Sequence, residues 1–299
     1  MGVIQRPSDI VFPLPGSPLS RVREFRRMHK TEEIHDALMG DKRTYDISDL
    51  GKGGCAKVVS LRCKRSGDRF AIKTPLKPTD VHHRLIFAEA HALERLTGVD
   101  GVVGYLGHRI SKEGSFVAMD KLSGKPLSQI LPQMSLESFL IVMAHVSSAL
   151  SKIHERGLVH RDLKPENIFI EKSGYPKILD FGLALRSGLK PKSASGTPEF
   201  IAPETLHLDP VSPAMDVFAL GRILYEKVSG AKLVMTSTQI RTAAYSEFAA
   251  SLPPIPQSTS KGEPIPPAIP ALIDLCTHQD PSMRPDAKTV FEVLCCLLS

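Results

Sequence analysis

The sequence predicts an α+β chain in two parts: a small, mostly antiparallel strand-rich portion with one main helix, then a larger helical portion. Three observations carry this expectation. From Tyr45 to Phe70, Val59, Leu61 and Cys63 alternate with polar residues, and RSGD at 65–68 marks a turn. A helical segment near 80–97 carries a stripe of Leu85, Leu93 and Leu96. After Leu122 the character changes: SLESFLIVMAHVSSALSKIHERG reads as a buried helix, with Ser135 as its cap and Gly157 as its stop.

Composition bounds the rest. The chain has 299 residues, 42% hydrophobic and 23% charged, enough for a globular protein with a substantial core. No uninterrupted apolar run approaches the roughly 18 to 20 residues of a membrane span, so no transmembrane segment is expected. The N-terminus is broken by prolines and lacks a secretory apolar core. Gly2 does not signal myristoylation, because Arg6 stands where Ser or Thr is needed. Five cysteines without paired spacing predict free thiols and a cytoplasmic protein. A net charge of +6 predicts a basic surface. Attraction to acidic protein, nucleic acid or lipid headgroups is the alternative, but no motif supports specific nucleic-acid binding.

Residues 1–44 read as an N-terminal extension. RPSDIVFPLPGSPLS is Pro/Ser-rich and extended. RVREFRRMHKTEEIHDAL is a basic helix with Val22, Phe25 and Met28 on one side. That helix either docks on the following domain or meets a membrane surface or a partner through residues 19–39. Short strands are expected around 101–107 and 116–120, and helices at 213–229 and 286–298. The Pro-rich LPPIPQSTSKGEPIPPAIP between those helices reads as a solvated loop, with a polyproline ligand as the alternative. No internal repeat is visible, and a cleft is expected near 119–124.

LGKGGCAKVV, residues 50–59, invites a phosphate. A Walker-type loop is excluded because Val58 occupies the position of the magnesium-binding hydroxyl. A dinucleotide fingerprint needs a helix after the glycines, whereas KVVSLRCKRSGDRFAIK alternates and turns. A glycine-rich hairpin followed by a lysine on the next strand remains. Gly51, Gly53 and Val58 fit it, Gly54 lies in the same turn, and Ala56 replaces the last glycine. In FAIK, Ala71 and Lys73 share a strand face, so Ala71 can line an adenine pocket while Lys73 reaches phosphate oxygens. A lysine on a buried face needs a partner. Glu89, set within the helical stripe, is the expected one; Glu94, off the stripe, is the competitor.

HRDLKPEN at 160–167, followed by DFG at 180–182, is the most specific signal. Phosphoryl transfer needs positioning and charge neutralisation rather than covalent help. Asp162 can accept or orient a hydroxyl proton, Lys164 can neutralise charge on the transferring phosphate, and Asn167 and Asp180 are hard oxygen ligands suited to Mg²⁺.

On these motifs the sequence resembles a eukaryotic-type (Hanks-type) Ser/Thr protein kinase from about Tyr45 to the C-terminus. The resemblance implies the bilobal kinase fold: an N-lobe at about 45–120, a hinge at 120–124 and a C-lobe at 125–299. GTPEFIAPE (196–204) resembles the end of an activation segment. DVFALG (216–221) resembles the helix whose Asp braces the catalytic loop. Arg284 of DPSMRP is the implied partner of Glu204. FVAMDKLSG (116–124) resembles the hinge, with Met119 as gatekeeper and Asp120 to Leu122 facing adenine; Leu50 and Val58 would cover the nucleotide from the glycine loop. The implied cofactors are ATP and Mg²⁺, with Mn²⁺ as an alternative, and the implied partner is a protein substrate carrying Ser or Thr. Lys164 and Thr197 match the Ser/Thr-specific pattern.

Arg161 beside the catalytic Asp can bind a phosphate on the activation segment, so autophosphorylation at Ser193 or Ser195 is expected. Ser187 lies in the same segment. Departures from the pattern are Ala56, Phe218 in place of a frequent Trp, and Phe200 in place of a frequent Tyr. The compact DVFALG form suggests a bacterial or divergent member. Two alternatives make different demands on the sequence. A pseudokinase or scaffold should lack Lys73, Asp162, Asn167 or Asp180. A small-molecule kinase of related fold should lack the GTPEFIAPE platform. All of these are present.

Overall fold

Strand alternation gives the first part of the chain a sheet with two different faces. The computed structural model describes residues 18–111, 114–232 and 252–299; the Pro/Ser-rich segment up to residue 17 lies outside the described residues. These residues form two compact units, one of 18–123 with 180–182, the other of 124–179 with 183–299. The first holds α1 (Pro18–Met28), α2 (Thr31–Leu38), β1 (Tyr45–Lys52), β2 (Ala56–Cys63), β3 (Arg69–Pro75), α3 (Asp80–Arg95), β4 (Tyr105–Arg109) and β5 (Phe116–Asp120). Its five strands are antiparallel in the order β1-β2-β3-β5-β4.

One sheet face is core. Val59, Leu61, Phe70, Ile72, Phe116 and Ala118 are buried in one cluster with Phe25 of α1 and Ile34 and Ala37 of α2. Burying a side chain of this size contributes about 1.5–3 kcal/mol. The helix of the extension is therefore docked through its apolar side, which is no longer available to a membrane. The intervening positions of β3, Ala71 and Lys73, face the other way, as period-two alternation requires. Ala71 stands opposite Met119 and Lys73 opposite Val58 and Val117.

Helix α3 is capped by Thr79, whose hydroxyl accepts the His82 N–H. Glu89, Leu93 and Leu96 are buried as the stripe predicts, but the first apolar position is taken by Ile86; Leu85 is only half-buried. Leu85 borders Gly182, where a side chain at that glycine would touch it.

The second unit holds β6 (Gly124–Pro126), α4 (Leu127–Ile130), α5 (Leu136–Glu155), β7 (Leu158–Val159), β8 (Ile168–Glu171), β9 (Pro176–Ile178), β10 (Leu185–Arg186), α6 (Ala214–Ser229), α7 (Ala268–Cys276) and α8 (Ala287–Leu298). β6, β8 and β9 make a small sheet, and β7 pairs with β10. Ser135 caps α5 by accepting the Ser138 N–H.

The Pro-rich stretch is more than the solvated loop expected. Its Glu263 carboxylate accepts the Leu136 N–H at 3.1 Å, a second cap on α5, and its Thr259 and Ile265 are buried. Among the described residues, α5 is the one helix long and apolar enough to cross a membrane by composition, yet 72% of its apolar window is buried inside the protein. All five cysteines are free thiols.

Candidate active site

Two groups of side chains matter, each within its own unit. In the first, Lys73 rises from β3 with its Nζ 2.6 Å from Glu89 Oε2 and 2.7 Å from Asp180 Oδ1. The Glu89 contact is close but not aligned as a hydrogen bond, so it is chiefly a contact of charges; the Asp180 contact is a true hydrogen bond. Burial by itself would push the Lys73 ammonium down, but the carboxylates of Glu89 and Asp180 outweigh it and hold the amine above its ordinary range. Burial pushes the Glu89 carboxyl up, opposed by Lys73 and by the backbone N–H of Phe181. Asp180 adopts a left-handed backbone (φ 61°), and its carboxylate is 46% exposed, so it has an open side. Phe181 beside it is fully buried and anchors the turn.

The glycine loop follows the predicted hairpin. Leu50 and Gly51 are exposed at the end of β1, and Gly53 and Gly54 are exposed in the turn before β2; Val58 is half-buried. Ala56 opens β2 without positive φ, and its carbonyl accepts the Gly53 N–H at 2.9 Å. Ala71 and Met119 are buried opposite each other, and Leu122 is half-buried. Asp120 is held through its side chain. It pairs with Phe70 on the core face of the sheet, and its carboxylate is taken by Arg21 of α1. Only its main chain is left to meet a nucleotide.

In the second unit the loop between β7 and β8 gathers Asp162, Lys164 and Asn167. Asp162 Oδ1 accepts from Thr197 Oγ1 at 2.7 Å. Lys164 Nζ donates to the same Thr197 hydroxyl at 2.5 Å and lies 3.2 Å from Asp162 Oδ2. Asn167 Nδ2 donates to the Asp162 carbonyl at 2.8 Å and to Oδ2 at 3.2 Å, which orients the amide oxygen away from this pair.

Asp216, at the start of α6, braces the loop. Its two oxygens accept the backbone N–H groups of His160 and Arg161, both at 2.8 Å, and the first also meets His154 Nε2 at 2.9 Å. Full burial would raise this carboxyl, but the bond from His154 and the neighbouring donors bring it below its ordinary value. His160 Nε2 meets the Leu179 carbonyl and its Nδ1 accepts the Asp162 N–H, so the loop's own backbone assigns the tautomer.

Thr197 reaches Asp162 because Gly196 lets the chain pass close by. Gly196 has φ 127°, and a Cβ there would lie 2.8 Å from the Arg161 carbonyl and 2.4 Å from Ile201. Further along, Arg284 forms a bidentate pair with Glu204 at 2.7 and 2.9 Å. Its guanidinium lies 4.9 Å from the Phe218 ring, so the phenyl that replaces an indole still offers a face to that charge.

The protein kinase domain family model matches residues 45–294, spanning both groups. The chain belongs to the protein kinase family. Among curated relatives, the serine/threonine-protein kinase PknA of Mycobacterium tuberculosis is 32% identical over 250 residues, 79% of this chain and 56% of the relative. Mouse sperm motility kinase 2B is 32% identical over 190 residues, 62% of this chain and 39% of the relative. The cytokinesis protein sepH of Aspergillus niger is 29% identical over 262 residues, 85% of this chain and 19% of the relative. This kinase chain thus spans little more than half the length of the first of these and less of the others.

Sequence reasoning named the members of both groups. It missed Arg21 on Asp120, because nothing in the spacing of those two residues links them, and it missed His154 as a partner of Asp216.

Proposed function

We propose that the chain is an ATP-dependent serine/threonine protein kinase, moving the γ-phosphate of ATP to Ser or Thr hydroxyls of protein substrates. The observation that carries this reading is the Asp162–Lys164–Thr197–Asn167 net: a carboxylate, an ammonium, a hydroxyl and an amide linked by hydrogen bonds. In this reading the substrate hydroxyl oxygen attacks the γ-phosphorus, and the bond to the bridging oxygen of ADP breaks. Asp162 orients the hydroxyl and takes its proton, while Lys164 offsets charge on the phosphoryl oxygens. Thr197 holds the carboxylate in one orientation. Lys73, kept charged by Glu89, contacts phosphate oxygens.

No group of three or more His, Cys, Asp or Glu side chains among the described residues could hold a metal unaided. That fits Mg²⁺, which is usually bound by one or two carboxylates together with substrate phosphates. The Asn167 amide oxygen and the exposed side of Asp180 are hard donors of the right kind. When bound, Mg²⁺ would neutralise phosphate charge. The five free thiols support residence in a reducing compartment.

Arg161 supports regulation by autophosphorylation. It is buried, with Nη1 on the Leu183 carbonyl, while its Nε and Nη2 find no partner among the described residues. Ser193 is exposed and Ser195 half-buried on the segment that leads to Thr197.

The reading is tested by incubating purified protein with γ-labelled ATP, Mg²⁺ and a generic protein substrate, then hydrolysing the product to its amino acids. Label is expected in phosphoserine and phosphothreonine. Label confined to phosphotyrosine, or no protein label, contradicts it.

A further inference from the structure

We infer that helix α1 of the N-terminal extension tunes nucleotide affinity, with Arg21 acting as a positioning residue that fixes the main chain after β5 through the Asp120 carboxylate. The inference rests on the ATP-dependent reading above, because it is the backbone of residues 120–122 that this reading sets against adenine.

The geometry is specific. Arg21 Nη2 donates to Asp120 Oδ1 at 2.7 Å and Nη1 to Oδ2 at 3.2 Å, a two-pronged fork on one carboxylate. Asp120 is the last residue of β5. Its N–H is bound to the Gly104 carbonyl at 2.8 Å, and its register partner across β3 is Phe70. The carboxylate lies over Gly104 so closely that a Cβ there would come within 2.1 Å of Oδ2. Any other residue at 104 would displace the group that Arg21 grips.

The helix that carries Arg21 is itself fixed. Val22 and Phe25 are buried, and Phe25 packs edge-on to Phe70 with ring centroids 5.0 Å apart. Arg26, one turn further along, reaches Glu94 at 3.3 Å and the Tyr105 hydroxyl at 3.4 Å. Strands β3 and β4 and helix α1 therefore converge on the residue at the edge of the proposed adenine site.

The fork is also dispensable for folding. The Arg21 side chain is 51% exposed and that of Asp120 24%, and exposed ion pairs contribute little to stability. What the pair supplies is position, and small displacements of a positioning backbone are felt in binding. Folding and function can therefore be read separately.

The experiment uses the full chain and five variants: Arg21→Ala, Arg21→Lys, Asp120→Asn, the Arg21→Ala/Asp120→Asn double and Gly104→Ala. Each is read for KM of ATP, kcat, Kd of MgADP by calorimetry, and Tm. Arg21→Ala should raise KM and Kd about three- to tenfold, with kcat within about twofold and Tm nearly unchanged. Arg21→Lys, which keeps the charge without the fork, should recover part of the loss. The double variant should be no worse than the weaker-binding single, since both remove one interaction. Gly104→Ala, which displaces the carboxylate but keeps both charges, should move Kd in the same direction.

Unchanged KM and Kd in Arg21→Ala overturn the inference. So does a loss of affinity that only follows a fall in Tm, or one that is additive in the double variant. A wild type that binds MgADP without transferring phosphate sinks the function proposed above, while the Kd arm still decides the role of Arg21. A wild type that binds no nucleotide ends both.

Discussion

The cluster around Lys73 and the net around Asp162 hold their functional groups by different means. Lys73, Glu89 and Asp180 come from a strand, a helix and a turn far apart in sequence, and they are held chiefly by charge, with Glu89 buried, Lys73 largely so and Asp180 open on one side. Asp162, Lys164 and Asn167 come from one short loop. They are held by hydrogen bonds to one another, to Thr197 and to the backbone, with Asp216 behind them. A buried charge cluster has no substitute for a missing member, because water cannot replace it. A hydrogen-bonded loop spreads its orientation over many donors, so losing a brace loosens it without emptying it.

The contrast can be broken by removing the cation of the first cluster. Lys73→Met should lower transfer on the order of a hundredfold or more, as expected for a lost electrostatic group, measured as kcat with saturating protein substrate. A loss of only a few-fold would show that the cluster is structural.

Next in size is the brace. Asp216 has a depressed carboxyl in the folded protein, so its contribution to stability is present above the ordinary carboxylate range and fades as the pH falls through its lowered folded value. Asp216→Asn should therefore cost a few kcal/mol at neutral pH, about what leaving buried donors poorly matched costs, and the penalty should shrink in acid. Urea denaturation at neutral and acidic pH measures both. An equal penalty at both would refute the assignment.

The smallest effect belongs to the glycine loop. Because Ala56 already has ordinary strand geometry, Ala56→Gly gives the backbone a freedom it does not use. Turnover should stay within a few-fold. A large gain in steady-state rate would show that the alanine restrains the loop.

Much of this arrangement was legible in the sequence, for reasons particular to each residue. Lys73 and Glu89 could be paired because a lysine on a buried strand face and a carboxylate within an apolar helical stripe each demand an opposite charge. Asp162, Lys164 and Asn167 were legible together because they lie within the one short stretch HRDLKPEN. Leu85 was misplaced because helical spacing cannot tell which neighbour turns to the core when a second chain segment, at Gly182, passes beside the helix. The grip of Arg21 on Asp120 was not legible, since strand register is needed to see which face the Asp120 side chain takes. Glu263 as a cap on α5 was invisible, because its stretch carries loop composition and the helix it caps lies more than a hundred residues earlier.

The most direct test of the two-group account is Asp162→Ala, examined for nucleotide binding and for transfer in the same preparation. The account predicts that Kd for MgATP stays within about threefold of wild type, while phosphate transfer falls by a hundredfold or more, because Asp162 acts on the hydroxyl and Lys73 on the phosphates. Transfer that survives the substitution, or nucleotide affinity that is lost with it, would contradict that division of labour.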